Sequence, residues 1–237
     1  MSSILNVTTH SFTDCQAQAA ALAERIAGGL REALDQRGSA VLAVSGGSTP
    51  KDLFARLSRE PLDWSRVHIT LVDERWVPDT DERSNARLVK ATLLQNAASA
   101  AQFVPLYTGA ESPEAGLAEA NARIDALPHP FDAVVLGMGD DGHTASFFPG
   151  GDHLAEALDL DGQTRVLPMR APGAGEPRIT LSLPAVLDTR ALYLLVTGAT
   201  KRDVLADARL GLGAAQHYPV RSVLAQTRAP LSVYWCP

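Results

Sequence analysis

Three short apolar runs constrain the fold of this chain most: Ala40–Val44, Ala133–Leu136 and residues 191–196. None of them alternates apolar with polar side chains. A strand that is apolar at every position must bury both of its faces, and that is the pattern of a parallel sheet covered by helices on both sides. The segments between the runs have helical spacing. Over residues 14–37, Ala19, Leu22, Ala23, Ile26 and Leu30 recur on one face, with Asp14 placed to cap the start and Gly38 to end it. Further strands are expected at 67–72, 104–106, 166–169, 179–183 and 231–235. Further helices are expected from residue 50 to about 57, over 85–94, 114–126 and 200–208, after Pro184, and over 220–224. Alternating short strands and helices predict a three-layer αβα fold, α/β in class, with a mainly parallel central sheet. A chain of 237 residues, 46% of them hydrophobic, can bury such a core, and a single domain over 1–237 is expected.

Several classes are disfavoured. No run of about 18 apolar residues is present, so no transmembrane helix and no membrane partner are expected. The first ten residues lack a basic segment followed by an apolar one, so an export signal is not expected. The net charge is -6 and the basic residues are scattered, which argues against a nucleic-acid partner. Cys15 and Cys236 are too few and too far apart in sequence for a disulfide framework or a cysteine-rich zinc site. Two reduced thiols in a cytoplasmic protein are expected.

In doubly wound sheets, ligands bind outside the carboxyl ends of the strands. The polar clusters of this chain fall there, after Val44, Val72, Leu136 and Val196. After Val44 come Ser45, Gly46, Gly47, Ser48, Thr49 and Pro50. A strand, a Gly-Gly turn, two hydroxyls and a helix start can cradle a phosphate through free backbone N–H groups. The same residues can equally be a tight turn with a helix cap. No GK[ST] follows, so this is not a Walker A loop. Asp73, Glu74 and Arg75 at the next strand end can bind sugar hydroxyls and an anion, or form a surface ion pair.

The densest chemistry lies in 131–150, FDAVVLGMGDDGHTASFFPG. It matches G-x-G-x-x-G literally, but Asp140 and Asp141 inside the turn would repel a pyrophosphate. The strand also comes past mid-chain, so the dinucleotide reading is rejected. His143 is the candidate general base, since an imidazole can take a proton from water and a neighbouring carboxylate can orient it. His143 and His153 are ten apart without an HxH or HxxxH pattern, so no metal is expected. His10, His68, His129 and His217 are read as structural or surface residues. No G-x-S-x-G elbow supports Ser45 or Ser146 as a nucleophile. Arg178, after the Gly- and Pro-rich segment 171–177, and Lys201, after Thr197-Gly198-Ala199-Thr200, are candidate phosphate ligands. Segment 171–177 is the candidate mobile loop.

Taken together, VSGGSTP (44–50), DERWVP (73–78), Ser84-Asn85, LGMGDDGHTASFFPG (136–150), PRITL (177–181) and TGATK (197–201) resemble the 6-phosphogluconolactonase family, in the family's order and over most of the chain. Phe147-Phe148 departs conservatively from a Leu-Phe pair. The resemblance implies a fold shared with glucosamine-6-phosphate deaminases and ribose-5-phosphate isomerases. It implies hydrolysis of 6-phospho-D-glucono-1,5-lactone in the pentose phosphate pathway without metal or cofactor. It also implies a small sugar-phosphate lactone as the partner; a monomer or small homo-oligomer is expected. Carried onto this sequence, His143, Asp141 and Arg75 fall to catalysis. Gly46, Gly47, Ser48, Thr49, Asp73, Asp140, Arg178 and Lys201 fall to substrate and phosphate binding. Two alternatives stay open: a deaminase or isomerase with Asp73 as its base, and a non-catalytic sugar-phosphate sensing domain.

Overall fold

The computed structural model describes residues 7–237. In chain order its elements are β1 (Val7–Ser11), α1 (Cys15–Arg37), β2 (Ala40–Val44), α2 (Lys51–Leu57), β3 (Val67–Leu71), β4 (Asp73–Arg75), α3 (Asn85–Thr92), β5 (Gln102–Val104), α4 (Pro113–Asp125), β6 (Ala133–Leu136), α5 (Leu154–Leu158), β7 (Val166–Met169), β8 (Arg178–Leu181), α6 (Leu183–Leu187), β9 (Leu192–Thr197), α7 (Ala199–Leu210), α8 (Val220–Ala225) and β10 (Leu231–Cys236). Seven strands form one sheet in the order β1-β10-β9-β6-β2-β3-β5. Every pair in it is parallel. Helices lie against it, and the expected α/β class holds.

The local causes are those in the sequence. Asp14 accepts from the Ala17 N–H at the start of α1, and Gly38 ends the helix at φ 80°, where a residue without Cβ is favoured. The α1 stripe of Ala19, Leu22, Ala23, Ile26 and Leu30 is buried, and all of β2 and β6 is buried. Gln18 is the polar exception in the stripe. Its amide donates to the carbonyls of Val196 and Tyr234, both at 2.9 Å, and so ties α1 to the carboxyl ends of β9 and β10.

Three elements were not expected. β1 is an edge strand, VTTHS, whose mostly exposed side chains leave no apolar run to read. α5 is a short helix of five residues. β4 belongs to a second, three-stranded antiparallel sheet in the order β4-β8-β7. Residues 73–75, read as a strand-end loop, are therefore themselves a strand, and they face β8.

The cysteines correct the expectation of two reduced thiols. Cys15 and Cys236 form a disulfide, with Cα atoms 5.3 Å apart across a sequence separation of 221. Distance along the chain does not bound distance in space. The parallel register that sets Cys236 beside Thr197 also brings the end of β10 to the first turn of α1. The free-thiol argument for a reducing compartment falls with it. Among the described residues, no helix is long and apolar enough to cross a membrane.

Candidate active site

From β2 the chain winds to β3 and β5 on one side of the sheet, while β6 lies on β2's other side and is followed by β9 and β10. The loops after β2 and β6 diverge at this switch point and open a crevice. A cavity of about 270 Å³ lies there. Four of the loops read from the sequence meet at it.

The turn after β2 begins with Ser45 N–H donating to the Val135 carbonyl of β6 at 2.9 Å. The next four N–H groups, of Gly46, Gly47, Ser48 and Thr49, have no acceptor among the described residues, and all four residues line the cavity. Two glycines are needed here. A Cβ on Gly46 would lie 1.9 Å from the Asn85 side-chain oxygen, and Gly47 sits at φ 90°. The result is a set of unpaired donors facing one space, which suits an anion.

The turn after β6 is built around His143. Gly139 N–H donates to the His143 carbonyl at 2.9 Å and closes the turn. Asp141 Oδ1 accepts from the His143 backbone N–H at 3.1 Å and lies 2.5 Å from Nδ1. That bond holds the Asp141 carboxyl below the ordinary aspartate value. With the proton on Nδ1 pointed at a carboxylate, Nε2 is the acceptor of a neutral imidazole. His143 lines the cavity. The approach is so close that a Cβ on Gly139 would lie 2.2 Å from His143 Nδ1. Beyond the histidine, Thr144 Oγ1 donates to the Gly137 carbonyl at 2.7 Å and Ser146 Oγ donates to Asp73 Oδ2 at 2.6 Å. Ser146 is fully buried and spent on that bond.

The small sheet supplies two of the three cations. In its β4–β8 pair, Arg75 stands directly opposite Arg178. Like charges facing each other across a ladder destabilise a sheet. Both line the cavity, where an anion between them would relieve the repulsion. Arg178 is buried, its Nε and Nη2 donate to the Ala174 carbonyl, and Asp73 Oδ2 lies 4.0 Å from Nη1. Burial lowers the Arg178 pKa; Asp73 opposes that and Arg75 adds to it. The 171–177 segment is thus held by Arg178, and Glu176 pairs with Arg83 at 3.0 Å. Lys201, in the first turn of α7, faces the same cavity and makes no ion pair among the described residues.

Glu74, expected to bind sugar hydroxyls or to form a surface ion pair, does neither: it lines no part of the cavity. It is fully buried, and its carboxylate accepts from the N–H groups of Arg75, Asn85 and Ala86 and from the Ser84 hydroxyl, at 2.7–3.0 Å. Burial pushes its pKa up and those four bonds pull it down. Burial wins, and the Glu74 carboxyl lies above the ordinary glutamate value although both of its oxygens are hydrogen-bonded. Glu74 thereby fixes the start of α3, and with it Asn85, which lines the cavity and donates to the Asp73 carbonyl at 3.0 Å. A charged residue between apolar β3 and a predicted helix was the available signal. Phe148 was passed over as a site residue, and no spacing rule would have found it.

Of the residues singled out in the sequence, Gly46, Gly47, Ser48, Thr49, Asp73, Arg75, His143, Arg178 and Lys201 line the cavity. Asp141 touches it only through His143. Asp140 is exposed at the tip of the turn and lines no part of it.

Fold and cleft define a three-layer α/β protein with a candidate ligand cleft at the switch point of a parallel sheet. Residues 13–235 match the family described as glucosamine-6-phosphate isomerases/6-phosphogluconolactonase, and the chain belongs to that family. It is 49% identical to a 6-phosphogluconolactonase of Rhizobium meliloti strain 1021, over 98% of this chain and 100% of that one. It is 44% identical to one of Pseudomonas aeruginosa, over 93% and 91%. A crystal structure of a 6-phosphogluconolactonase from Shewanella baltica superposes with a TM-score of 0.92 at 44% identity, covering 99% of each chain. A monomeric glucosamine-6-phosphate deaminase of the NagB superfamily shares the fold, with a TM-score of 0.76 at 17% identity over 96% of this chain and 97% of that one.

Proposed function

We propose that this protein hydrolyses 6-phospho-D-glucono-1,5-lactone to 6-phospho-D-gluconate, as its relatives' names state for them. The observation that carries the reading is His143: its Nδ1 is bound to Asp141, and its ring faces the cavity that the free amides and three cations also face. The phosphate sits among the N–H groups of residues 46–49, Arg178 and Lys201. Its binding orients the lactone carbonyl toward His143. Nε2 takes a proton from water as the oxygen adds to C1, and Asp141 steadies the imidazolium. Arg75 faces the oxyanion. When the C1–O5 bond breaks, the ring oxygen leaves as an alkoxide and recovers the proton from His143. A lactone needs no covalent intermediate, which agrees with Ser146 being held by Asp73. No step calls on a metal or cofactor. The cytoplasm, the oxidative branch of the pentose phosphate pathway, a monomer or small homo-oligomer and a single catalytic domain are parts of the same proposal.

Acid release from the phosphorylated lactone, followed in a pH-stat, tests it. His143→Ala is expected to lower kcat by about 100-fold or more with KM near that of the wild type. Wild-type-like turnover in that variant would assign the base elsewhere. Ammonia release from glucosamine 6-phosphate without lactone turnover would replace the reading with the deaminase one, with Asp73 as base. Sugar-phosphate binding with neither activity would make this a sensing domain.

A further inference from the structure

We propose that Phe148 is a positioning residue whose single ring carries both ends of the active site. It is 3% exposed and lines the cavity. The His143 imidazole stacks on it, ring centroids 4.3 Å apart and planes 28° from parallel. The guanidinium carbon of Arg178 lies 5.3 Å from the centroid of the same ring. The group placed as base and a group placed on the phosphate thus share one aromatic wall.

Two physical effects follow. The imidazole is tethered at Cγ and hydrogen-bonded at the adjacent Nδ1, which leaves its tilt about the Cβ–Cγ bond only loosely set. A stacked ring fixes its plane, and the two restraints together aim Nε2. The face of an aromatic ring also attracts a cation within about 6 Å. Arg178 is a cation throughout, whereas His143 becomes one only after it has taken the proton from water. The ring therefore favours the charged intermediate over the neutral ground state, which is the interaction that raises kcat. Phe148 is tied through its backbone to the small sheet: its N–H donates to the Ser146 carbonyl at 3.1 Å. Two residues before it, Ser146 bonds Asp73 of β4 through its hydroxyl and, through its N–H, Thr180 of β8 at 3.3 Å. Leucine in place of Phe148 keeps an apolar wall and removes the face.

The catalytic part of this claim rests on the lactonase reading; the positional part does not. In Phe148→Leu, kcat is expected to fall by about tenfold, and the preference for the phosphorylated over the plain lactone by several-fold. Phe148→Tyr is expected to restore both. Phe148→Met, which conserves volume without a ring face, replaces the leucine variant if that does not fold. Wild-type kcat and preference in a folded non-aromatic variant would overturn the proposal, as would equal losses in the tyrosine variant. Should the wild type open no lactone, the lactonase reading fails on its own, and the ring is tested without substrate. The His143 ring protons are then expected to carry an upfield ring-current shift in the wild type that is lost in Phe148→Leu, with inorganic phosphate bound several-fold more weakly. An unchanged shift and unchanged phosphate affinity would overturn the proposal in that case.

Discussion

Two glycine turns leave neighbouring strands at the switch point, and they are built alike but equipped differently. The turn after β2 holds four unpaired N–H groups and no carboxylate. The turn after β6 holds two carboxylates and a histidine whose Nδ1 is already committed. The first is suited to an anion; the second, left to itself, would repel one. Residues of both turns line one cavity, and the proposed function divides binding and chemistry between them. On the proposed reading, the substrate's charge is taken at one turn and the proton is moved at the other. Arg75 and Arg178, opposite each other on the small antiparallel sheet, line the same space.

Single-atom additions to the glycines can break this division. Gly139→Ala puts a methyl group into the His143 ring. Displacing the base by about an ångström is expected to cost kcat on the order of 100-fold with little change in phosphate affinity. Gly46→Ala pushes Asn85 away from the first turn. Its expected effect is smaller and of the other kind: KM for the phosphorylated lactone raised about tenfold, and kcat reduced less than in Gly139→Ala. Steady-state kinetics on both variants checks the contrast. If both lose kcat alone, or both lose KM alone, the turns do not have separate tasks.

A change in the frame sharpens the comparison from outside. Replacing Cys15 and Cys236 by serine opens a bridge that spans most of the chain. The expected loss is about 2–4 kcal/mol, read as a lower thermal midpoint, with kcat/KM at 25 °C unchanged. An unaltered midpoint, or two free thiols found in the native protein, would contradict the bridge. The smallest effect belongs to the Glu114–Arg170 surface pair. Arg170 brings Glu114 from its ordinary 4.5 to about 2. A carboxyl whose folded pKa is depressed contributes stability above its unfolded pKa, and loses it as the pH falls through the folded one. Arg170→Ala is expected to flatten the stability curve slightly between pH 4.5 and 2 while leaving turnover at neutral pH alone.

Much of this was legible in the sequence because it is local. Apolar runs gave β2 and β6 to the residue, and Asp14 and Gly38 bounded α1. The two turns could be read from their own composition. What was not legible depends on pairing between distant segments. β4 has three residues and only its register with β8 makes it a strand. The disulfide exists because a parallel sheet returns the last strand to the first helix. Of the two adjacent acids, nothing local separates Asp140, at the exposed tip, from Asp141, on the imidazole. That difference follows from how the backbone folds back through the Gly139–His143 hydrogen bond. Phe148 reads as an ordinary core residue until His143 and Arg178 are seen against it.

The most direct test of the division between the turns is a crystal structure of the complex with 6-phosphogluconate. The phosphate is expected within hydrogen-bond distance of the N–H groups of residues 46–49 and of Arg178 or Lys201, with C1 of the product beside His143 Nε2. A phosphate seated at the His143 turn, or a product whose C1 lies away from His143, would contradict it.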